Sequence, residues 1–254
     1  MKFFFIIICI LIFTRELYSR NIGETEILTD DGIEVFQKEK YYLLKKNVKI
    51  ESDTFSLKGD NVEVYFEKDL YDIKKIVAIG NVNFNSSEYN LNGLGNELTL
   101  YTEKEEIIIN GIQSKLIING TEMKSDGNIN VNNLTGEFFI LGDNSSLLAQ
   151  EIYIIGEKID GIFSSNTEVN EIKFLDVKDK NISYIKSDDT EMYAKHAIYK
   201  KEIDIIELKE DVKIIRDGET ISGDYGTLDT KDNSYKVKSN SSNKVKVVII
   251  NSDE

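Results

Sequence analysis

The sequence predicts an all-β protein, an elongated body of stacked antiparallel strands with no helix after its N-terminal segment. From about Thr25 onward, apolar and polar residues alternate with period 2, and similar segments recur along the chain. Such alternation places successive side chains on opposite faces of a strand, one apolar and one wet. The 254 residues include no proline, so long ladders of backbone hydrogen bonds can run uninterrupted.

An export signal is predicted before the first strand. Lys2 is followed by an apolar run, Phe3 to Phe13, of about 11 residues. This length suits a signal peptide and is well short of the roughly 20 residues that a membrane-spanning helix needs. We therefore expect a signal peptide at residues 1–19, a single domain at 20–254 and a mature protein outside the cytoplasm. An uncleaved run would instead anchor the chain in the membrane.

Composition argues against several classes of function. A formal net charge of −14 disfavours a nucleic-acid partner and an anionic membrane surface, because both are bound through Lys and Arg. His196 is the single histidine and Cys9 the single cysteine, and Cys9 falls inside the export signal. A zinc site or a catalytic triad needs more such residues. We expect no catalytic site, no metal and no cofactor.

Two short elements recur at spacings of roughly 25 to 44 residues, the range typical of repeat proteins. One is Leu57-Lys-Gly-Asp60, echoed by Ile221-Ser-Gly-Asp224. The other is Ile79-Gly-Asn-Val82, echoed by Lys46-Asn-Val48 and Glu210-Asp-Val212. A unit this short cannot bury its apolar face alone, so copies must stack into a continuous apolar interior with two open ends. A sandwich without repeats is the competing interpretation.

Apolar strand positions form the first candidate site, either as packed core or as the lining of a groove. Close packing of protein interiors favours core, whereas a groove requires two sheets held apart. The predicted inward residues are Phe55, Leu57, Val62, Val64, Phe66, Val82, Phe84, Leu91, Leu98, Ile198, Val212, Ile214 and Ile221.

The second candidate site is formed by the two chain ends, at about Glu24–Phe36 and Lys244–Ile250. Both segments are predicted edge strands, whose unpaired backbone groups can recruit a neighbouring chain by β-augmentation. Their apolar positions are Ile27, Ile33, Val35, Val245, Val247 and Ile249.

Several segments together resemble a known family. They are Asp31-Gly-Ile-Glu34 near the start, Ala194-Lys-His-Ala-Ile-Tyr199 and Ser222-Gly-Asp-Tyr-Gly226 near the end, and the basic, valine-rich segment 244–250. The chain resembles alphaproteobacterial members of the LptA (OstA-like) family of periplasmic lipopolysaccharide-transport proteins. It departs from their pattern at Leu94, Lys195 and Asp211, and residues 125–180 match poorly.

The resemblance implies a β-jellyroll folded like a taco (a "β-taco"), two sheets joined along one side, with the acyl chains of lipid A sheltered between them. It also implies a periplasmic bridge for outer-membrane assembly, bound to inner-membrane and outer-membrane transport components through its end strands and able to associate head to tail. Three alternatives stay open: a membrane-anchored LptC-like adaptor, a structural β-solenoid or adhesin-like protein with a filled core, and an acidic hydrolase. The hydrolase would need a convergent pocket of carboxylates.

Overall fold

The computed structural model describes residues 22–68, 72–150, 152–164, 171–240 and 243–249, which form one 20-stranded antiparallel sheet. The all-β prediction is confirmed, and the described helical structure is a single 3-10 turn at Lys201–Ile203. The predicted signal peptide at 1–19 lies outside the described residues. The strands are β1 (Glu26–Leu28), β2 (Ile33–Phe36), β3 (Tyr41–Glu51), β4 (Phe55–Phe66), β5 (Ile73–Ser86), β6 (Leu91–Tyr101), β7 (Glu106–Asn110), β8 (Ser114–Ile118), β9 (Thr121–Ser125), β10 (Asn128–Asn132), β11 (Glu137–Leu141), β12 (Ser146–Ala149), β13 (Ile152–Ile155), β14 (Lys158–Phe163), β15 (Ile172–Ser187), β16 (Thr190–Lys200), β17 (Ile205–Arg216), β18 (Glu219–Asp229), β19 (Ser234–Lys238) and β20 (Lys246–Ile249).

The sheet is one long meander folded over along its middle. The long strands β3 to β6 and β15 to β18 bend halfway, most of them at a shift in pairing register, and so belong to both halves of the fold. Elsewhere two short consecutive strands, one in each half of the fold, take the place of one bent strand. The first such pair is β1 and β2 and the last is β19 and β20. We call the bend the corner and the opposite side, where the hairpin turns lie, the open side. Half-sheet A contains β2, β7, β10, β11, β14 and β19, half-sheet B contains β1, β8, β9, β12, β13 and β20, and each bent strand contributes one part to each.

Residues with left-handed backbone turn three of the long strands at the corner. These residues belong to the recurring element Ile79-Gly-Asn-Val82 and its echoes. Glycine and asparagine readily adopt positive φ, so this element suits a bend in a strand. At position 80 only glycine fits, since a Cβ atom there would collide with the carboxylate of Asp60. The pairs with positive φ are Lys46 and Asn47 in β3, Gly80 and Asn81 in β5, and Glu210 and Asp211 in β17.

Polar side chains connect neighbouring strands along the corner. The amide of Asn81 donates to both carboxylate oxygens of Asp60, at 3.2 and 3.1 Å. Between β16 and β17 the corresponding contact is an ion pair, with Lys195 Nζ 2.9 Å from Asp211 Oδ2. Lys195 and Asp211 therefore take the places that Asp60 and Asn81 hold between β4 and β5. The other amide-to-carboxylate contacts of the corner join Asn47 to Asp30 (2.5 Å), Asn144 to Asp126 (2.5 Å) and Asn243 to Asp224 (3.0 Å).

The half-sheets face each other across a single apolar core, and their facing surfaces together form the inner face. Its buried residues come from both half-sheets and run from Leu44 to Leu228. At Gly93 of half-sheet B the two surfaces approach closely, and a Cβ there would lie 2.9 Å from Ile109 Cδ1 of half-sheet A. With adjacent strands about 4.8 Å apart, the core extends through a stack of roughly 60 Å.

Candidate functional site: the cleft between the half-sheets

All the predicted inward residues except Ile198 lie on the inner face, and most of them belong to one cluster of buried apolar side chains. Phe55 is only partly buried and packs against that cluster. Ile221 is half-buried near the C-terminal end and is paired directly with the buried Ile214. The buried residues of the predicted set are Leu57, Val62, Val64, Phe66, Val82, Phe84, Leu91, Leu98, Val212 and Ile214.

The inward prediction for Ile198 is wrong, because this residue lies on the outer face. It is paired with Asp176, while its neighbours Ala197 and Tyr199 point inward. The corner of β16 shifts the alternation by one residue between Ala194 and Ala197, and a strict period of 2 cannot anticipate such a shift. His196 shares the outer face, with Nε2 2.9 Å from Asp176 Oδ1.

Side chains fill most of the space between the half-sheets. Leu98, Met123 and Ile159 are at most 1% exposed. One interior cavity of about 80 Å³ is bounded by Ile154 and Val177, among others. A second cavity of about 100 Å³ lies near the open side. Small-molecule sites usually enclose about 300–1,000 Å³, so the cleft as it stands is closed.

A larger cavity, of about 240 Å³, opens at the open side near the middle of the molecule. Its apolar floor is formed by Ile118, Val131 and Phe163, which are at most 3% exposed. Its polar rim includes Glu88 of half-sheet B and Asn133 of half-sheet A. We call this cavity the mouth. An apolar floor below a polar rim suits an amphipathic molecule whose tail enters and whose polar part stays in water.

The mouth adjoins the 100 Å³ cavity, and the two share Tyr89, Ile118 and Asn133. Burial and the nearby carboxylates of Glu105 and Glu88 raise the pKa of Tyr89, so its hydroxyl stays neutral at physiological pH. Among the described residues, no group of three metal-binding side chains occurs.

Between described residues, the backbone hydrogen bonds that join the two half-sheets lie at the corner. At the open side, bonds between turns join strands of the same half-sheet, such as Ser87 N–H to Thr54 O (2.9 Å) and Asn133 N–H to Glu105 O (3.0 Å). Within the described ranges no backbone hydrogen bond crosses from one rim to the other. Parting the rims would expose apolar surface without breaking a strand ladder.

The predicted edge residues lie at the two ends of the stack. Ile27, Ile33 and Val35 point to the inner face, and the last two are 48% and 46% exposed. At the other end, Val247 and Ile249 point to the inner face and are 52% and 62% exposed. Val245 precedes β20 and is 41% exposed. The apolar interior is therefore uncovered at both ends. The sequence did not indicate that β19 forms the C-terminal edge of half-sheet A.

The sequence prediction missed the residues of the mouth, which lie mainly in the middle of the chain, where the family resemblance is poor. The alternation continues through the poorly matching middle, where Leu116, Ile118, Ile129 and Val131 are inward and buried. That pattern alone would have placed Ile118 and Val131 on the inner face. Their meeting at a cavity depends on the fold, since β8 and β10 lie in different half-sheets.

No protein-family model and no curated protein matches this sequence. Among solved structures, the chain is similar to LptH from Pseudomonas aeruginosa, described as the LptA-homologous periplasmic component of the lipopolysaccharide transport device. The similarity covers 43% of this chain and 76% of that one, at 13% identity and a TM-score of 0.37. A likeness this weak carries no argument about function. Within the described ranges, no helix is long and apolar enough to cross a bilayer.

Proposed function

We propose that this protein binds lipopolysaccharide in the periplasm and forms part of a bridge that carries it from the inner to the outer membrane. The observation that carries the proposal is an apolar interior that continues through the stack and is uncovered at both ends, and whose described rims on the open side are joined by no backbone hydrogen bond between described residues. The protein would act as a conduit without chemistry of its own, and export through the N-terminal signal would place it in the periplasm.

Acyl chains would enter by parting the rims at the mouth. Each buried CH₂ group contributes about 0.8 kcal/mol, so a chain of a dozen such groups gains roughly 10 kcal/mol. This gain offsets the apolar contacts that the half-sheets lose along the open side, while the corner keeps the ladder intact. The sugars of the lipid would stay outside, beside polar rim residues such as Asn133, and its phosphates would stay in water away from the carboxylate of Glu88.

The two ends support a role as one segment of a longer assembly. At the N-terminal end Ile33 and Val35 expose inner-face apolar surface, and at the C-terminal end Val247 and Ile249 do the same. A further strand pairing with β1 and β2 or with β19 and β20 would cover that surface and extend the interior. The partners would be transport components of the two membranes or a second copy stacked head to tail.

The filled interior favours a second candidate function, that of a structural β-protein whose core never opens. Leu57, Val62 and Leu98 are at most 1% exposed, as expected of permanent core. Such a protein would use its exposed ends as interaction surfaces and would bind no lipid. The two candidates agree on the fold and differ in whether lipid reaches the inner face.

Photocrosslinking separates the two candidates. A diazirine-bearing aliphatic residue is placed at the inward positions Val62 and Leu98 and, as matched controls one residue away, at the outward positions Glu63 and Glu97, which lie on half-sheet A. Purified lipopolysaccharide should crosslink to the inward positions and not to the controls. Crosslinks at none of the four, or equally at all four, would contradict lipid carriage and leave the structural role.

A further inference from the structure

The outer face of half-sheet B, the one turned away from the cleft, is basic although the chain carries a net charge of −14. Its described strand positions include the lysines Lys49, Lys58, Lys115, Lys124, Lys186, Lys213 and Lys246, and the glutamates Glu26, Glu51, Glu122 and Glu191. Alternation sends every second residue of each strand to this face, so the folded sheet separates charges that the sequence mixes.

One row of directly paired residues crosses this face from β1 to β20 without a single carboxylate. We call it the lysine row. It consists of Leu28, Lys49, Lys58, Asn83, Leu94, Lys115, Lys124, Ser146, Ile155, Tyr184, Tyr193, Lys213, Ser222 and Lys246. A chain with 45 Asp and Glu against 31 Lys and Arg would place acids in such a row if positions were filled at random.

The equivalent row on the outer face of half-sheet A has the opposite character. It reads Glu34, Leu43, Glu63, Val77, Thr99, Ile108, Asn130, Phe139, Asp160, Asp176, Ile198, Glu207, Thr227 and Lys236. The two rows have the same length and the same strand architecture, so the architecture alone does not account for the lysines of half-sheet B.

Several lysines of the lysine row are available to a ligand. Lys58 and Lys246 are exposed, and within the described residues neither forms an ion pair. The nearest acids along the corner are engaged, since Asp60 and Asp224 accept hydrogen bonds from asparagine amides. Lys115 shares Glu122 with Lys124, which leaves an excess of positive charge even at that contact.

Aromatic rings lie in the same row, beside the lysines. The ring centroids of Tyr184 and Tyr193 are 5.2 Å apart, and Tyr153, from the adjacent row, lies 6.3 Å from Tyr184. The ammonium group of Lys213 sits 4.2 Å from the centre of the Tyr193 ring. The tyrosine rings offer a stacking surface for flat, partly apolar groups, and the lysines in the same row offer positive charge for anions.

We propose that the lysine row binds an extended anionic polysaccharide. The lysines contact its acidic groups, the amide and hydroxyl groups of Asn83, Ser146 and Ser222 hydrogen-bond to its hydroxyls, and Tyr184 and Tyr193 stack on sugar rings. A row one residue wide fits a linear polymer. Adjacent strands twist by about 20°, so a row crossing the whole stack cannot lie flat on a membrane, whereas a polymer can follow it. This inference does not depend on lipid binding inside the cleft.

The test measures binding of polygalacturonate, a linear polymer of acidic sugars, with neutral dextran as the control ligand. The test variant replaces Lys58, Lys124 and Lys246 with Gln. The control variant replaces Lys200, Lys236 and Lys238, which are exposed on the outer face of half-sheet A, with Gln and so loses the same charge. A second pair of variants compares Tyr184→Leu/Tyr193→Leu with Tyr41→Leu/Tyr65→Leu, whose rings stack at 5.3 Å on half-sheet A.

We expect wild type to bind polygalacturonate and not dextran. The half-sheet B lysine variant should bind about tenfold more weakly and depend less on salt. The Tyr184/Tyr193 variant should lose roughly threefold with unchanged salt dependence. Neither half-sheet A variant should change binding. The proposal is overturned if wild type does not bind, if both lysine variants weaken binding equally, or if the lysine row instead governs binding to phosphatidylglycerol vesicles.

Discussion

The corner and the open side of this protein are built from different interactions. At the corner, continuous strands, left-handed residues such as Asn81 and contacts such as Asn81 to Asp60 fix the angle between the half-sheets. At the open side, apolar side chains meet without a backbone hydrogen bond between the described rims. A folded sheet can therefore keep its ladder of backbone hydrogen bonds intact at the corner while its two half-sheets separate along the open side.

The largest loss of stability is expected when a core side chain away from the mouth is shortened. Leu57 and Ile118 are equally buried, at 0% and 1% exposure, but Ile118 lines the mouth and Leu57 lines none of the cavities described above. Leu57→Ala should lower the free energy of unfolding by about 2–5 kcal/mol, and Ile118→Ala by about 1 kcal/mol less, because Ile118 borders the mouth and the adjoining cavity. Urea unfolding measures both. Equal losses would show that the open side is packed as tightly as the rest of the core.

A moderate effect is expected at the corner, where Lys195 and Asp211 replace the usual Asn–Asp contact. Lys195→Asp should destabilise the fold, because it places a second carboxylate beside Asp211. Adding Asp211→Asn should recover most of that loss by recreating the contact seen between Asp60 and Asn81. A double-mutant cycle from urea unfolding gives the coupling. Strictly additive losses would mean that side-chain pairing does not stabilise the corner.

The smallest effect is expected on the outer face, which belongs to neither the corner nor the open side. Hydrogen bonds from Lys115 (Nζ to Oε2, 2.6 Å) and Lys124 hold the pKa of Glu122 below its ordinary value. A carboxylate whose pKa is lower in the folded state than in the unfolded state stabilises the fold at pH values above the unfolded-state pKa. That contribution is lost as the pH falls through the folded-state pKa. Glu122→Gln should therefore reduce stability slightly at about pH 7 and not at about pH 2. An equal difference at both pH values, measured by urea unfolding, would contradict this assignment.

Period-2 alternation was enough to predict the fold class and most of the inner face, because a strand with one buried side must repeat every second residue. Leu57, Val62 and Phe84 were placed correctly for that reason. Ile198 was misplaced because the corner of β16 shifts the alternation, and corner positions depend on pairing with neighbouring strands. The mouth and the lysine row arise from residues far apart in sequence. Net charge likewise gave no sign of a basic face, since it does not record which side of a strand a residue occupies.

The central claim is that the half-sheets part at the open side to admit lipid, and a covalent lock tests it most directly. Tyr89 and Asn133 lie on opposite rims and line the same two cavities. Tyr89→Cys/Asn133→Cys, joined by a short bis-maleimide in a chain starting at residue 20, holds the rims together. The control, Thr54→Cys/Ser87→Cys, joins two neighbours on the half-sheet B rim.

The account predicts that the locked protein binds purified lipopolysaccharide at least about tenfold more weakly than the same variant before crosslinking, while the crosslinked control binds normally. Binding that is unchanged by the lock would show that lipid does not pass between the half-sheets, and the central claim would be wrong.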